Sequence, residues 1–198
     1  MIDMATPTMD RRAAVQILLD ARGDALVVTG LGSPSYDVHA AGDRDDNYYL
    51  WGAMGGAALV GLGLAQAQPG RRVMVITGDG EQLMAFGALA TIAVARPKNL
   101  DVIVLDNQHY GETGMQSSHT GRGIALDRVA AVTGFSQTAE LRSLDEVETL
   151  AGQLQQPADG PRLFVLKIAA ENLPRSLPPR DAVYVKNRFR AHLNLAPC

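Results

Sequence analysis

Apolar runs without alternation set the first limit on how this chain can fold. "ALVVTG" (Ala25–Gly30), "RRVMVITGDG" (Arg71–Gly80), "LDVIVLDN" (Leu100–Asn107) and "PRLFVLKIA" (Pro161–Ala169) are rich in β-branched residues. A strand with one wet face alternates apolar and polar residues; these do not, so both faces are buried. Helical patterns separate them. "DRRAAVQILLDARG" is an amphipathic helix with Gly23 after its end, and "GLGSPSYDVHAA" is a Gly-rich turn entering a helix with Ser33 as N-cap and Pro34 at its first position. "YYLW" reads as a strand, and "GAMGGAALVGLGLAQAQPG" as a small-residue helix. "EQLMAFGALATIAVARP" reads as one helix stopped by Pro97, and "IALDRVAAVTG" and "SLDEVETLAGQLQQ" as two more. "AGDRDDN" reads as a solvated loop, and "QHYGETGMQSSHTGRG" as a polar loop too long to be a mere connector. From about residue 172 a Pro-rich arm leads to a basic helix. Strands alternating with helices predict an α/β fold: a single three-layer domain, residues 1–198, with a mostly parallel sheet flanked by helices.

Composition narrows the function classes. At 198 residues and 46% hydrophobic, the chain suits one well-buried domain. A net charge of -3 with no long basic run argues against a nucleic-acid surface. The one cysteine, Cys198, excludes a disulfide framework and a zinc cluster. "MIDMATPTMDRRAAVQ" lacks the apolar core of a signal peptide, and no stretch is apolar enough for long enough to span a membrane. The expectation is a soluble cytoplasmic protein.

The chemistry concentrates where strands end. In open parallel sheets, ligands bind beyond the carboxyl ends of the strands. Asp79, between Gly78 and Gly80, ends one apolar run, and Asn107 ends the next. If those strands are neighbours, a carboxylate and an amide oxygen converge, both suited to Mg²⁺. The glycines admit a large anion, and a helix starting after Gly80 turns free N–H groups toward it. A diphosphate site is the reading; an isolated GDG reads equally as a turn with an Asp cap. A P-loop and a dinucleotide fingerprint are unsupported, and "GLGS" (Gly30–Ser33) is too short a match to restore the latter.

The pair GDG to DN, Gly78 to Asn107, resembles the thiamine-diphosphate motif. "GDRDDNYYLWGAMGGAALVGLGLA", "TGDGEQLMAFGALATIA", "PKNLDVIVLDNQHYGETGMQSSHTG" and "VKNRF" resemble the phosphonopyruvate and sulfopyruvate decarboxylase branch of that family, from about Leu26 to Phe189. The resemblance implies thiamine diphosphate and Mg²⁺ as cofactors. It implies Asp79, Asn107 and the backbone carbonyl of His109 as metal ligands. It puts Gly52, Ala53 and Met54 on the aminopyrimidine, with the Gly52 carbonyl and the Met54 N–H as hydrogen-bonding groups and the Met54 side chain as a wedge. Gly30, Gly32, Ser33, Gly78, Gly80, Glu81, Tyr110 and Gly111 complete the cofactor set. Glu112, Thr113, Gln116 and His119 are expected near the reacting end, with His119 or Arg122 meeting an anionic tail; for Glu112, His119 and Arg122 a surface role is the alternative. The sequence departs from the pattern at Glu81, where a small hydroxyl residue is common, at Asp106, the first Asn of the motif, and at Met115 and Ser117, where Gly and Pro are expected.

The family also needs a glutamate at the pyrimidine ring, carried on a separate pyrimidine-binding domain. This chain has length for the diphosphate-binding domain only, and Glu81, Glu112 and Glu140 lie in or after the diphosphate motif. The resemblance therefore implies one subunit of a hetero-oligomer, a β-type chain whose α-type partner supplies that glutamate, acting on a small 2-oxo acid. Decarboxylation is the expected reaction; carboligation, oxidation or a non-catalytic role are the alternatives.

Overall fold

The computed structural model describes residues 7–196; Cys198 and the first residues of the chain lie outside them. The apolar runs form a parallel sheet. Its strands are β1 (Leu26–Thr29), β2 (Asn47–Tyr49), β3 (Val73–Gly78), β4 (Leu100–Asp106), β7 (Gln137–Leu141) and β8 (Arg162–Lys167), in the order β2-β1-β3-β4-β8-β7. Two further short strands, β5 (His109–Tyr110) and β6 (Gln116–Ser117), form a separate antiparallel hairpin. Alternate residues of each central strand feed two cores. Val27, Met74, Ile76, Ile103 and Leu166 pack beneath α1 (Arg11–Asp20), α2 (Ser33–Ala40) and α7 (Leu144–Gln153). Val28, Val73, Val75, Val102 and Val165 pack beneath α3 (Ala57–Ala67), α5 (Ala88–Ala95), α6 (Leu126–Thr133) and α8 (Ala182–His192). The three-layer expectation holds. Among the described residues, no helix is long and apolar enough to cross a membrane.

Strand order positions the site. The chain steps from β1 outward to β2, then returns to the other side of β1 as β3. The switch leaves a crevice beyond the carboxyl ends of β1 and β3. Since β3 pairs with β4, in register from Val73↔Leu100 to Gly78↔Leu105, Asp79 and Asn107 emerge side by side.

Several local expectations are corrected. Ser33 is not the N-cap of α2: Gly32 takes that position and Pro34 follows Ser33 inside the helix. The helix expected over Glu81–Pro97 is two, α4 (Asp79–Met84) and α5, broken at Ala85–Gly87. The break lies where the segment before α3 crosses: a Cβ on Gly55 would sit 3.1 Å from the Ala85 Cβ and 3.3 Å from its nitrogen. The helix expected to start after Gly80 begins at Asp79, inside the GDG turn, and runs only to Met84. The "AGDRDDN" loop is not simply solvated. Asp46 and Asn47 are buried and bind the buried Arg22, and Asn47 begins β2, which ends at Tyr49 rather than Trp51. β7 was not expected; its polar, partly exposed sequence at the sheet edge hides it from a search for apolar runs.

Two expected results follow. A Cβ on Gly61, in α3, would lie 2.2 Å from Val75 Cγ2. Gly61→Ala should cost about 1–3 kcal/mol in urea unfolding, the usual range for an overpacked core. The second concerns α8, which closes the β2 edge. Arg188 grips Asp43 with Nη1–Oδ2 at 2.6 Å and Nη2–Oδ1 at 3.1 Å. Burial pushes the Asp43 carboxyl up, but Arg188 and the Tyr49 hydroxyl outweigh it and hold it below the usual range. A depressed folded pKa stabilises above the unfolded value and is lost as pH falls through the folded one. Asp43→Asn should therefore be less stable than wild type at pH 7, with the gap closing below about pH 4.

Candidate functional site

Asp79 opens α4 with Gly78 as its N-cap, so its carboxylate stands at the mouth of the switch-point crevice. It is 2% exposed. Its Oδ2 accepts hydrogen bonds from the Ser118 hydroxyl and, at 3.1 Å, from that of Thr120. Thr120 Oγ1 is also 2.7 Å from Asp106 Oδ1, and Asp106 Oδ2 is 2.5 Å from Lys167 Nζ. Burial and the neighbouring Asp106 charge push the Asp79 carboxyl up to about 6. Among the described residues its neighbours are two hydroxyls, the Gly80 N–H and a second carboxylate rather than a cation. A buried carboxylate in that position fits a bound cation, which would favour its charged form.

The loop after β4 is tightly wound. Asp106 Oδ1 accepts from Gln108 N–H and Asn107 Oδ1 from His109 N–H, both at 2.9 Å. Gln108 between them sits at φ 63°. Positive φ in a non-glycine residue is uncommon and concentrates at ligand sites. The His109 ring is 2.8 Å from the Asn107 carbonyl through Nδ1. The segment ahead of α3 is equally unusual, with Gly52, Ala53 and Gly55 at φ 81°, 51° and 92°. It holds Met54 half-exposed over the crevice, at 47%.

Glu81 turns away from the mouth. It is 4% exposed, and its carboxylate accepts Leu31 N–H at 3.0 Å and Ala57 N–H at 3.4 Å. It thus ties the turn after β1 to the start of α3, directly across the switch point. Burial raises its pKa, while Thr77 and the backbone amides act in the opposite direction.

These elements enclose a cavity of about 340 Å³. Of the residues expected at a cofactor, Ser33, Met54, Gly78, Asp79, Gly80, Glu81, Asn107, His109, Tyr110 and Gly111 line it, as do Glu112 and Thr113. Gly30, Gly32, Gly52, Ala53, Gln116 and His119 do not line it; Gly30 and Gly32 are buried, Gly52 and Ala53 exposed. Gln116 is bonded to Thr113, Oγ1 to Oε1 at 2.9 Å. His119 lines a neighbouring depression with Leu83, Met84, Phe86, Tyr110 and Ile124. The sequence reading missed Arg11, Leu31 and Ile168 in the cavity wall. The Pro-rich arm before α8 was expected, but not its docking: it wraps the same side of the molecule. Trp51 Nε1 donates to the Pro179 carbonyl at 2.8 Å, His39 Nδ1 is 2.8 Å from Ser176 Oγ, and Arg175 pairs with Glu112 at 3.0 Å. The prolines mark the arm in sequence, but nothing local marks where it docks.

The arrangement can take a diphosphate against glycine backbone and a divalent cation between Asp79 and Asn107. Among the described residues no group of three or more His, Cys, Asp or Glu side chains could hold a metal by itself. A cation here would draw ligands from an amide, a backbone carbonyl and the ligand's own oxygens as well as Asp79.

The family described as "Thiamine pyrophosphate enzyme, C-terminal TPP binding domain" matches residues 36–161. Phosphonopyruvate decarboxylase of Streptomyces viridochromogenes is 39% identical over 98% of this chain and 48% of its own length, so the chain spans about half of that relative. The sulfopyruvate decarboxylase subunit beta of Methanothermobacter thermautotrophicus is 34% identical over 91% of this chain and 94% of its own. The crystal structure of benzoylformate decarboxylase from Polynucleobacter necessarius shares the fold, with a TM-score of 0.69 at 19% identity over 83% of this chain and 34% of that one.

Proposed function

The chain belongs to the thiamine pyrophosphate enzymes, through their C-terminal TPP-binding domain, and from that premise we propose that it is the diphosphate-binding subunit of a Mg²⁺-dependent 2-oxo acid decarboxylase. The observation that carries the reading is the buried Asp79 carboxylate, set beside Asn107 without a cation of its own in a glycine-walled cavity. Thiamine diphosphate, when bound, supplies the nucleophile and the electron sink for loss of carbon dioxide. Asp79, Asn107 and the His109 carbonyl hold Mg²⁺, a hard ion that prefers oxygen. Gly78 and Gly111 leave room for the diphosphate, with Gly30, Gly32, Ser33 and Tyr110 around it, and Gly80 admits the Tyr110 ring beside it. The Gly52 carbonyl, Ala53 and the Met54 N–H would hold the aminopyrimidine, with the unbranched Met54 side chain against it. Glu81 serves this set from behind, by fixing the backbone at Leu31 and Ala57.

Glu112, Thr113, Gln116 and His119 act at the substrate end. Glu112 is held there by Arg175, and Thr113 and Gln116 orient each other. A substrate with a sulfonate or phosphonate tail is the class supported by the named relatives. The pyrimidine glutamate comes from an α-type partner. In support, Glu81 is engaged by backbone amides, Glu112 by Arg175, and Glu140 by Arg142 and Lys167. Met54, Met84, Phe86 and Ile124 are exposed about the cavity, as expected of a face covered in an assembly. The cytoplasm is the compartment.

The test is to produce the chain with a candidate pyrimidine-domain partner and measure carbon dioxide release from 2-oxo acids bearing sulfonate or phosphonate, with thiamine diphosphate and Mg²⁺. Release is expected from the pair and not from either chain alone. No release from any such acid, with cofactor bound, would sink the decarboxylase reading. A ligated or oxidised product in place of the aldehyde would redirect it.

A further inference from the structure

The hairpin that carries the substrate-end residues is fastened to the metal-site carboxylate. β5 and β6 pair as His109↔Ser117 and Tyr110↔Gln116, so Glu112 and Thr113 lie at the tip. At the stem, Ser118 N–H donates to the Gln108 carbonyl at 2.8 Å. The side chains that follow turn inward: Ser118 is 1% exposed and Thr120 2%. The Ser118 hydroxyl donates to Asp79 Oδ2. The single Thr120 hydroxyl proton is shared between Asp106 Oδ1 at 2.7 Å and Asp79 Oδ2 at 3.1 Å, and the two hydroxyls are 2.8 Å apart. Lys167 balances Asp106 from the other side at 2.5 Å. Gly121 closes the stem, since a Cβ there would lie 3.0 Å from Ser117 Oγ and 3.3 Å from the Gln108 carbonyl.

We propose that Ser118 and Thr120 are positioning residues that couple the metal site to the substrate hairpin. This rests on the metal-site reading of Asp79. Both hydroxyls engage the same oxygen, Oδ2, which holds the carboxylate in one rotation and leaves Oδ1 for the cation. Thr120 also bridges two like charges, Asp79 and Asp106. Coupling runs both ways by thermodynamic necessity. If the hydroxyls favour the cation, the cation tightens the hairpin that presents Glu112 and Thr113.

The test uses the full chain, with Mg²⁺ titrated by calorimetry at saturating thiamine diphosphate. Loss of a polar neighbour of a metal ligand typically costs about 10- to 100-fold in metal affinity. Ser118→Ala and Thr120→Val should each fall in that range, whereas Thr120→Ser, which keeps the hydroxyl, should bind as wild type. Hydrogen exchange supplies the second readout. Mg²⁺ with thiamine diphosphate should slow exchange over residues 108–123 in wild type, and by much less in the Ser118→Ala/Thr120→Val double variant. Equal Mg²⁺ affinity in wild type and double variant, or equal protection of the hairpin, overturns the coupling and leaves the metal site standing. Loss of affinity in Thr120→Ser as well would reduce Thr120 to a packing role and overturn its share. A wild-type chain that takes up thiamine diphosphate without Mg²⁺ dependence overturns both readings.

Discussion

Asp79→Ala is expected to abolish Mg²⁺-dependent binding of thiamine diphosphate while leaving the fold intact. Asp79 is the carboxylate in the proposed ligand set; Asn107 and the His109 carbonyl are neutral. Its loss should exceed the roughly 10- to 100-fold cost of removing a neighbour of a ligand. The fold survives because the metal-free chain gains little from this group. Burial and Asp106 push it up to about 6, above the unfolded value of about 3.9. A carboxyl whose folded pKa is raised binds more protons folded than unfolded, so its presence lowers stability as pH rises between those two values. In the metal-free wild type Asp79 should therefore contribute a loss of stability from about pH 4 to about pH 6, which the difference between wild type and variant reads out. Calorimetry reads the affinity and urea unfolding reads the slope. Unchanged affinity would remove the metal assignment.

Gly30→Ala should be the most disruptive single methyl at the site. A Cβ on Gly30 would lie 1.8 Å from Glu81 Oε2 and 2.9 Å from Thr77 Oγ1. A free side chain would swing away from such a contact. Glu81 is not free, because Leu31 N–H and Ala57 N–H hold its two oxygens. Displacing it combines an overpacking cost of about 1–3 kcal/mol with buried donors left unpaired, about 1–3 kcal/mol more. A loss of about 3 kcal/mol or more is expected in urea unfolding, with weakened cofactor binding because Leu31 and Ala57 flank the crevice. The double variant Gly30→Ala/Glu81→Ala tests the cause. With the clashing carboxylate gone, its loss should fall short of the sum of the single losses by more than about 0.5 kcal/mol. Simple additivity would mean that the two residues do not oppose each other.

What the sequence made legible was what burial on two faces makes legible. Val73–Ile76 and Leu100–Leu105 could only be central strands, and their ends carried Asp79 and Asn107 to one place once the strands proved to be neighbours. The thiamine-diphosphate resemblance and the flanked parallel sheet both held. Features set by long-range contact stayed hidden. Glu81 looked misplaced beside an anion, because nothing local says that the Leu31 and Ala57 amides, in distant segments, await its carboxylate. Asp46 and Asn47 looked solvated because their partner, Arg22, lies on the far side of β1 in sequence. The break at Ala85 lies against Gly55 of a distant segment, and β7 is polar enough to pass for a loop. Ser118 and Thr120 sat in a polar run where two buried hydroxyls look like any others.

The placement of α8 bears on how the chain is made. Arg188 holds Asp43, and Phe189 meets Tyr48 edge-on with ring centres 5.5 Å apart, so the last helix shelters the first edge of the sheet. During synthesis the open edge at β2 leaves the ribosome long before its cover. A bare strand edge is a template for pairing with another chain, and nascent domains with late long-range closure are exposed to that hazard for longest. Ribosome-bound chains ending before Ala182 should therefore hold a nearly complete sheet with one adhesive rim. Docking of α8 on β2 is then the step that covers that rim.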